Sequence, residues 1–230
     1  MFKGPILDER IAAIAPGFRA VSIFAHTQDG ICGSIDADLL ANACDGVLVG
    51  EPAWAEAHLA SWNQAYARFG AKPNRTPCSA QALRNRVLKD RRVPSINPVV
   101  DLYNAVSLRY AIPVGGENYD AYVGRPHLTI ADGSEPFDTV VSGEAIIERP
   151  APGEVIWRDD IGVTCRRWNW RQGSRTRLDK LTGRMWFVLE ALGSMPEDAL
   201  AEAADMLCDG LLRLMPGADI LRQTAQVPKN

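Results

Sequence analysis

The sequence lacks most of the motifs that identify common enzymes and metal proteins. Its five cysteines are widely separated, with no CxxC pair and no histidine at zinc-site spacing, so we expect reduced thiols and neither a metal nor a cofactor. It contains no GxSxG, HExxH or GxxxxGK motif and no GxGxxG after a predicted strand. These absences exclude the usual signatures of serine hydrolases, zinc proteases, P-loop nucleotidases and dinucleotide-binding enzymes.

Long hydrophobic runs are also missing. No segment approaches the roughly 18 uninterrupted apolar residues of a membrane helix, so we expect no membrane partner. Residues 1–18, MFKGPILDERIAAIAPGF, place acidic residues inside the apolar stretch and show no cleavage site, which predicts a cytoplasmic protein. The net charge of -3 argues against a surface that coats nucleic acid throughout, and we expect no DNA partner.

Predicted helices and strands are partly segregated along the 230 residues. Apart from an early strand at 18–26, the first half predicts mainly helices, and strands dominate from residue 126. A final helix follows Ser194 and Glu197, which have the spacing of a capping box. This order predicts an α+β fold of packed β-sheets with flanking helices. We expect a single domain, 1–230, with an N-terminal α/β portion (1–76), a central region (77–192) and a C-terminal helix and tail (193–230).

The segment SINPVVDLYNAVSLRYAIPVGG gives the clearest local pattern. Asn97 is the predicted N-cap of a helix, Pro98 its first residue, and the two glycines its end. Asp101 and Asn104 lie three residues apart on this helix and therefore project to neighbouring positions. We expect Asn104 to be a partly buried amide that either holds a loop backbone or contacts a ligand.

The segment CRRWNWRQGSRTR, residues 165–177, contains five arginines and two tryptophans. On a strand, Trp168 and Trp170 would share one face, and Arg167, Asn169 and Arg171 the other. That pattern fits both a surface for a single-stranded RNA end and an amphipathic core strand. A second basic group, predicted to face outward from a helix, comprises Arg84, Arg86, Lys89, Arg91 and Arg92.

Glu190 lies among large apolar residues in WFVLEAL, within a predicted strand. An unpaired buried carboxylate is costly, so Glu190 faces solvent, meets an arginine or lines a pocket. The three histidines, His26, His58 and His127, have surroundings more typical of packed or half-exposed side chains than of catalysts.

Taken together, INPVVDLYNAVSLRY, PVGG, CRRWNWRQ and VLEAL resemble the editing module of the phenylalanyl-tRNA synthetase beta subunit, and more closely its free-standing relatives. The resemblance covers roughly residues 77–192. It implies a fold of packed sheets and a module that receives the 3′ end of a mischarged tRNA and hydrolyses its aminoacyl ester. Where the synthetase has a pocket histidine and threonine, this sequence has Gly115 and Tyr103, so tyrosine selection does not carry over.

The resemblance also implies roles for individual residues. Glu190 belongs to the pocket, with Asn104 and Asp101 in a supporting, catalytic group. The substrate-binding residues are Tyr103, Gly115, Gly116, Trp168 and Trp170, with the two glycines as a wall or as oxyanion donors. Arg166, Arg167 and Arg171 are assigned to RNA binding at the tRNA end. From the charge pattern, Arg84 and Arg86 of the second basic group are also predicted to bind RNA.

Three functions remain open at this point. The first is a trans-acting aminoacyl-tRNA deacylase whose partner is the aminoacylated 3′ end of tRNA. The second is a non-catalytic RNA- or tRNA-binding module, and the third is a sensor of an amino-acid-like metabolite. A second copy of the chain or a synthetase is the protein partner to consider in each.

Overall fold

The computed structural model describes residues 2–179 and 182–227. Its helices are α1 (Ile11–Ile14), α2 (Leu39–Leu48), α3 (Ala55–Arg68), α4 (Ser79–Asp90), α5 (Pro98–Tyr110) and α6 (Glu197–Leu214). Its strands are β1 (Ile6–Leu7), β2 (Arg19–His26), β3 (Val114–Asn118), β4 (His127–Ile130), β5 (Phe137–Val141), β6 (Glu144–Glu148), β7 (Val155–Arg158), β8 (Val163–Arg166), β9 (Arg171–Gln172), β10 (Arg184–Ala191) and β11 (Asp219–Gln226). Helices and β-sheets therefore coexist as predicted, and the α+β fold is confirmed.

Within the described ranges the strands form two sheets. The smaller sheet has the order β11-β2-β10-β3 and is antiparallel throughout. The larger follows the path β1-β4-β7-β8-β5-β6, with β9 paired to β8. In the smaller sheet, β2 and β10 are central and almost completely buried, which matches their nearly continuous apolar sequences. Strand β3 forms one edge of this sheet.

The two faces of the smaller sheet are covered differently. On one face, α5 and α6 pack against alternate residues of β10, such as Phe187 and Leu189. On the other face, Trp186 and Val188 pack against residues of the larger sheet, including Trp157. Because strand residues alternate between faces, Glu190 lies on the same side as Trp186 and Val188. Glu190 is thereby placed toward the space between the two sheets.

Helix α5 begins as its sequence predicts. The side-chain oxygen of Asn97 accepts a hydrogen bond from the backbone N–H of Val100, and Pro98 is the first helical residue. The helix ends at Ala111, which has a left-handed backbone conformation. A short connection, residues 111–113, therefore leads directly from α5 into β3.

Two local predictions are wrong. Ser194 does not cap α6, because that helix begins at Glu197 after Pro196. The Ser194 hydroxyl lies 2.8 Å from the hydroxyl of Ser61 instead. Strand β8 ends at Arg166, and residues 167–170 form a turn, so the predicted alternation of arginines and tryptophans does not occur.

None of the helices in the described ranges has both the length and the apolar character needed to cross a bilayer. The division of the chain at residues 76 and 192 stays a prediction. Residues 228–230, the end of the predicted C-terminal tail, lie outside the described part of the chain.

Candidate functional site

A cavity of about 380 Å³ lies beside the edge strand β3, between helices α4 and α5 on one side and the 167–170 turn on the other. We call it the carboxylate cavity, after Glu117 and Glu190 in its wall. The other residues that line it are Ser79, Ala82, Leu83, Arg86, Tyr103, Asn104, Ser107, Val114, Gly115, Gly116, Trp157, Cys165, Trp168, Asn169, Trp170, Gln172 and Val188.

Glu190 lies at the cavity wall with its carboxylate fully engaged. Its Oε1 accepts hydrogen bonds from Trp157 Nε1 at 2.9 Å and Trp168 Nε1 at 2.8 Å. Its Oε2 accepts one from Asn169 Nδ2 at 2.9 Å. Burial raises the pKa of Glu190 to about 7, although these three donors act in the opposite direction. Glu190 is therefore neither solvent-exposed nor paired with an arginine; its partners are two indoles and an amide.

The 167–170 turn supplies two of those donors. Arg167 and Trp168 both have positive φ angles, 45° and 66°, which are unfavourable for residues other than glycine. The surrounding packing compensates for this, since the Trp168 ring lies 5.1 Å from the rings of Phe18 and Trp62 in edge-to-face contact. Trp168 is fully buried, so the turn fixes its indole N–H against Glu190.

Glu117 is a second buried carboxylate of the cavity, and the sequence analysis missed it. Its Oε2 accepts a hydrogen bond from the Tyr122 hydroxyl, which also lies 3.1 Å from Thr164 Oγ1. Burial raises the pKa of Glu117 to about 7, although neighbouring hydroxyl groups act in the opposite direction. The available signal was its place directly after PVGG, two residues beyond Gly115, on the same strand face.

Helix α5 contributes Tyr103 and Asn104 to the cavity wall, but not Asp101. The Asp101 carboxylate instead accepts hydrogen bonds from the Ser95 hydroxyl and the Ile96 N–H, in the segment that leads into the helix. Asp101 therefore stabilises the start of α5. Asp101 does not line the carboxylate cavity, because its carboxylate is held by Ser95 and Ile96, and its supporting role at the site stays a prediction.

Gly115 and Gly116 form the β3 part of the wall. The Gly116 carbonyl accepts a hydrogen bond from Gln172 Nε2 at 3.1 Å, so this peptide edge points away from β10. A side chain at Gly116 would collide with Phe187, whereas one at Gly115 would meet only Val188 Cγ1 at 3.6 Å. Gly116 is thus needed for sheet packing, and Gly115 leaves cavity space open.

Two of the predicted RNA-binding arginines are buried in structural contacts. Arg166 bonds Glu154 through Nε and Nη2 at 3.0 and 2.9 Å and reaches Glu148 at 2.7 Å. Arg84 is buried and donates to the Leu108 carbonyl at 3.0 Å. Neither guanidinium is free for phosphate, so both predictions are wrong: the nearby acids were distant in sequence, and helical phase placed Arg84 inward.

The other three predicted cations lie nearer the surface. Arg86 is exposed and lines the carboxylate cavity, with its Nε 3.8 Å from Asp90. The Arg167 guanidinium lies 4.4 Å from the centre of the Trp170 ring, and Arg171 lies 6.0 Å from the same ring. Trp170 thus lines the carboxylate cavity and has two guanidinium groups over its ring.

A second cavity, of about 260 Å³, lies next to this rim, and we call it the basic cavity. It is lined by Lys72, Arg75 and Arg167, together with Glu154 and uncharged residues. Arg167 therefore borders the basic cavity while it stacks on Trp170, a wall of the carboxylate cavity. Lys72 and Arg75 are exposed and belong to the AKPNRTP loop, which carried no functional prediction.

His58 is fully buried outside the carboxylate cavity and makes structural contacts. Its Nδ1 lies 2.8 Å from the Ala111 carbonyl, and its Nε2 accepts from the Leu192 N–H at 3.1 Å. Burial lowers its pKa to about 4, so the ring is neutral near pH 7. Among the described residues no group of three or more potential metal ligands occurs.

Comparison with solved structures gives a match to an N-terminal fragment of the phenylalanyl-tRNA synthetase beta subunit from Pyrococcus horikoshii. The identity is 11% and the TM-score 0.46; the alignment covers 98% of this chain and 56% of the other. Comparison with curated proteins finds no match. The family model of the B3/4 domain matches residues 61–209, which is more than half of the sequence. The chain therefore belongs to the B3/4 domain family and is a relative of the editing module of the phenylalanyl-tRNA synthetase beta subunit.

Proposed function

We propose that this protein interacts with tRNA and, as a trans-acting deacylase, hydrolyses the ester of mischarged aminoacyl-tRNA. One observation carries the proposal: a single cavity gathers Glu190, Asn104, Tyr103, the two glycines and both tryptophans, which the family resemblance had assigned to an editing pocket. These residues come from α5, β3, β10 and the 167–170 turn. Their convergence on one space of substrate size supports a binding role.

The reaction requires little chemical machinery. Hydrolysis joins a water oxygen to the carbonyl carbon, breaks the bond from that carbon to the ribose oxygen, and returns a proton to the ribose hydroxyl. An aminoacyl ester is already activated, so positioning and oxyanion stabilisation suffice without a covalent nucleophile. The Gly116 N–H lies on the same outward edge of β3 as its carbonyl, and we assign it to the oxyanion.

In this proposal, Glu190 holds residues of the carboxylate cavity wall in position by hydrogen bonds. Its two oxygens already accept three hydrogen bonds, from Trp157, Trp168 and Asn169. Glu190 therefore holds the 167–170 turn in place, and Asn169 and Trp170, the partly exposed residues of this turn in the wall, become the surfaces that a substrate meets. Asn104, opposite on α5, is an amide that can bond an ester or a ribose hydroxyl.

Contact with the tRNA end falls to the less buried cations in place of Arg84 and Arg166. Arg86 lines the carboxylate cavity, Arg167 and Arg171 lie beside Trp170 in its wall, and Lys72 and Arg75 extend the positive surface into the basic cavity. Trp170 offers an aromatic face on which an unpaired base can stack. This arrangement suits a single-stranded, phosphate-bearing end.

The non-catalytic tRNA-binding module is the second candidate. The observation that favours it is that Glu190 already accepts three hydrogen bonds from the protein, which leaves about one of the four acceptor sites of a carboxylate for a substrate hydroxyl or water. Under this alternative the basic surface and Trp170 keep their role, and the ester of a bound aminoacyl-tRNA stays intact.

The test is release of labelled amino acid from a panel of correctly and wrongly charged tRNAs. We expect selective hydrolysis of one mischarged species by the wild type. Gly115→Leu should abolish it, because the new side chain fills cavity space at a residue with room for a Cβ. Gly115→Ala is the matched control and should retain activity and melting temperature.

The outcomes separate the two candidates. Full activity in a folded Gly115→Leu variant would exclude the carboxylate cavity as the reaction site. No hydrolysis of any species, together with salt-sensitive tRNA binding, would replace the deacylase by the binding module.

A further inference from the structure

The carboxylate cavity combines negative charge with aromatic walls. Trp157, Trp168 and Trp170, with Tyr103, supply the aromatic surface. Glu117 and Glu190 are both at least nine-tenths buried there. Among the described residues of the wall, Arg86 is the cation, and it lies near Asp90 at the exposed end of α4. The buried part of the cavity is therefore acidic and aromatic.

The two carboxylates differ in their remaining capacity. Glu190 receives three hydrogen bonds that leave neither oxygen without a donor. Glu117 accepts one from Tyr122 at Oε2 and also interacts with the Thr164 and Thr176 hydroxyls, so its partners are neutral groups. The nearby Arg175 is held by Asp159 in a bidentate pair, with both distances 2.9 Å. A buried carboxylate without an ion partner is unfavourable, and a cationic ligand would offset that cost.

The wall also contains an unsatisfied polar atom. Ser79 Oγ is buried and has no hydrogen-bond partner among the described residues. Native proteins rarely leave buried hydroxyls unpaired, so this hydroxyl at the cavity wall can bond a ligand or a water in the cavity. Aromatic faces beside it are favourable surroundings for an ammonium group, particularly when they include tryptophan.

We propose that the carboxylate cavity selects an aminoacyl group by its positively charged amine, with Glu117 as the ion partner and the tryptophan rings around it. The proposal deepens the proposed function, on which it rests, by naming the substrate class. The amine is either the free α-ammonium group or an ammonium at the end of the side chain. A neutral acyl group of equal size would supply Glu117 with no ion partner.

The test measures binding of non-hydrolysable aminoacyl-adenosine amides by isothermal titration calorimetry. The phenylalanyl and lysyl analogues are each compared with the form acetylated at the α-amine. The lysyl analogue is also compared with the norleucyl analogue, which lacks the side-chain ammonium. We expect the favoured amine to strengthen binding by about tenfold or more. Loss upon acetylation assigns the α-ammonium, and preference for lysyl over norleucyl assigns the side chain.

Glu117→Gln should remove this preference while the neutral analogues bind as before. Glu135→Gln is the matched control, since Glu135 is equally buried but bonds the Asp132 and Gly133 N–H groups away from the cavity. Equal binding of charged and neutral analogues by the wild type, or binding of none, would overturn the inference. Amine-selective binding without ester hydrolysis would refute the deacylase and leave the inference standing.

Discussion

Glu117 and Glu190 show how two similar carboxylates acquire different roles from their surroundings. Both are buried, and burial raises both pKa values to about 7. Glu190 has indole and amide donors at its two oxygens and orders the wall, whereas the partners of Glu117 are the hydroxyls of Tyr122, Thr164 and Thr176. Their mutual repulsion adds to the effect of burial on Glu190.

Replacing Glu117 by glutamine should change the pH dependence of stability. A glutamic acid in the unfolded chain has a pKa near 4.3, and burial raises that of Glu117 to about 7. Between these values the Glu117 carboxyl is protonated in the folded state but not in the unfolded state. The contribution of Glu117 to the free energy of unfolding therefore falls as pH rises through this window.

We therefore expect Glu117→Gln to gain stability relative to the wild type between pH 4.5 and 7.5, by up to about 1 kcal/mol per pH unit. Urea unfolding at several pH values measures it. His58, with its lowered pKa, titrates in an overlapping window but is common to both proteins and cancels in the difference. A difference independent of pH would contradict the assignment.

Arg166→Ala should reduce stability, not only tRNA affinity. Arg166 joins Glu148 to the buried Glu154, and its removal leaves Glu154 with Arg167 at 3.8 Å as its nearest cation. Breaking a buried pair in this way costs about 3 kcal/mol. Arg171→Ala is the control, because Arg171 is more exposed and lies 3.5 Å from Glu148; we expect a loss below about 1 kcal/mol. Equal denaturation midpoints for the two variants would refute this role.

At the scale of elements, the packing of the helices determines where the carboxylate cavity lies. Helix α5 connects directly to β3, so its inward residues cover the smaller sheet while Tyr103 and Asn104 reach past the sheet edge. Helix α6 lies against α5, and the two approach closely at Gly210. The position of α5, and with it one wall of the cavity, depends on this contact.

Gly210→Ala should therefore destabilise the protein despite the higher helix propensity of alanine. A Cβ at Gly210 would lie 3.0 Å from Leu102 Cγ and closer still to both Leu102 methyl groups. Overpacking costs about 1–3 kcal/mol, against a propensity gain of about 1 kcal/mol. Gly46→Ala, in α2, is the control; its Cβ meets only the flexible Glu51 side chain at 3.2 Å, and the melting temperature should not fall. A stabilised Gly210→Ala would show that α5 and α6 can separate without cost.

At the scale of the molecule, a net charge of -3 coexists with a local positive surface. Arg166 and Arg175 form ion pairs with Glu154 and Asp159. The remaining cations near the site lie around the two cavities: Lys72, Arg75, Arg86 and Arg167. The net charge of the protein therefore does not predict the electrostatic potential at the two cavities. Binding of a polyanion would be local and sensitive to salt.

The double variant Lys72→Ala/Arg75→Ala should weaken tRNA binding and flatten its salt dependence. For every phosphate that the variant no longer neutralises, the slope of log K against log salt falls by about one. Filter binding between about 50 and 200 mM salt measures it. Lys89→Ala/Arg92→Ala removes the same charge from the far end of α4 and should keep the wild-type slope. Equal slopes for the two double variants would exclude the basic cavity from the interface.

Much of the fold could be predicted from local sequence. The N-cap and proline of α5 specify its start within one turn, and nearly continuous apolar sequences predict β2 and β10 as buried strands. The family resemblance led to several residues of the cavity wall, including Glu190 and Trp168. It did not lead to Glu117, because the available signal, an acid directly after PVGG on the strand face of Gly115, is equally typical of a surface residue.

By itself, the sequence determined the α+β class, the main helices and strands, and the residue types available to the site, because capping, turn formation and apolar periodicity act over a few neighbours. Only the tertiary structure decided which charges are free. Glu148 and Glu154 neutralise Arg166 across the larger sheet, and packing of Trp168 forces residues 167–170 into a turn that no alternation predicts. Ion pairing and burial join residues far apart in the chain, so they are set by the packed fold as a whole.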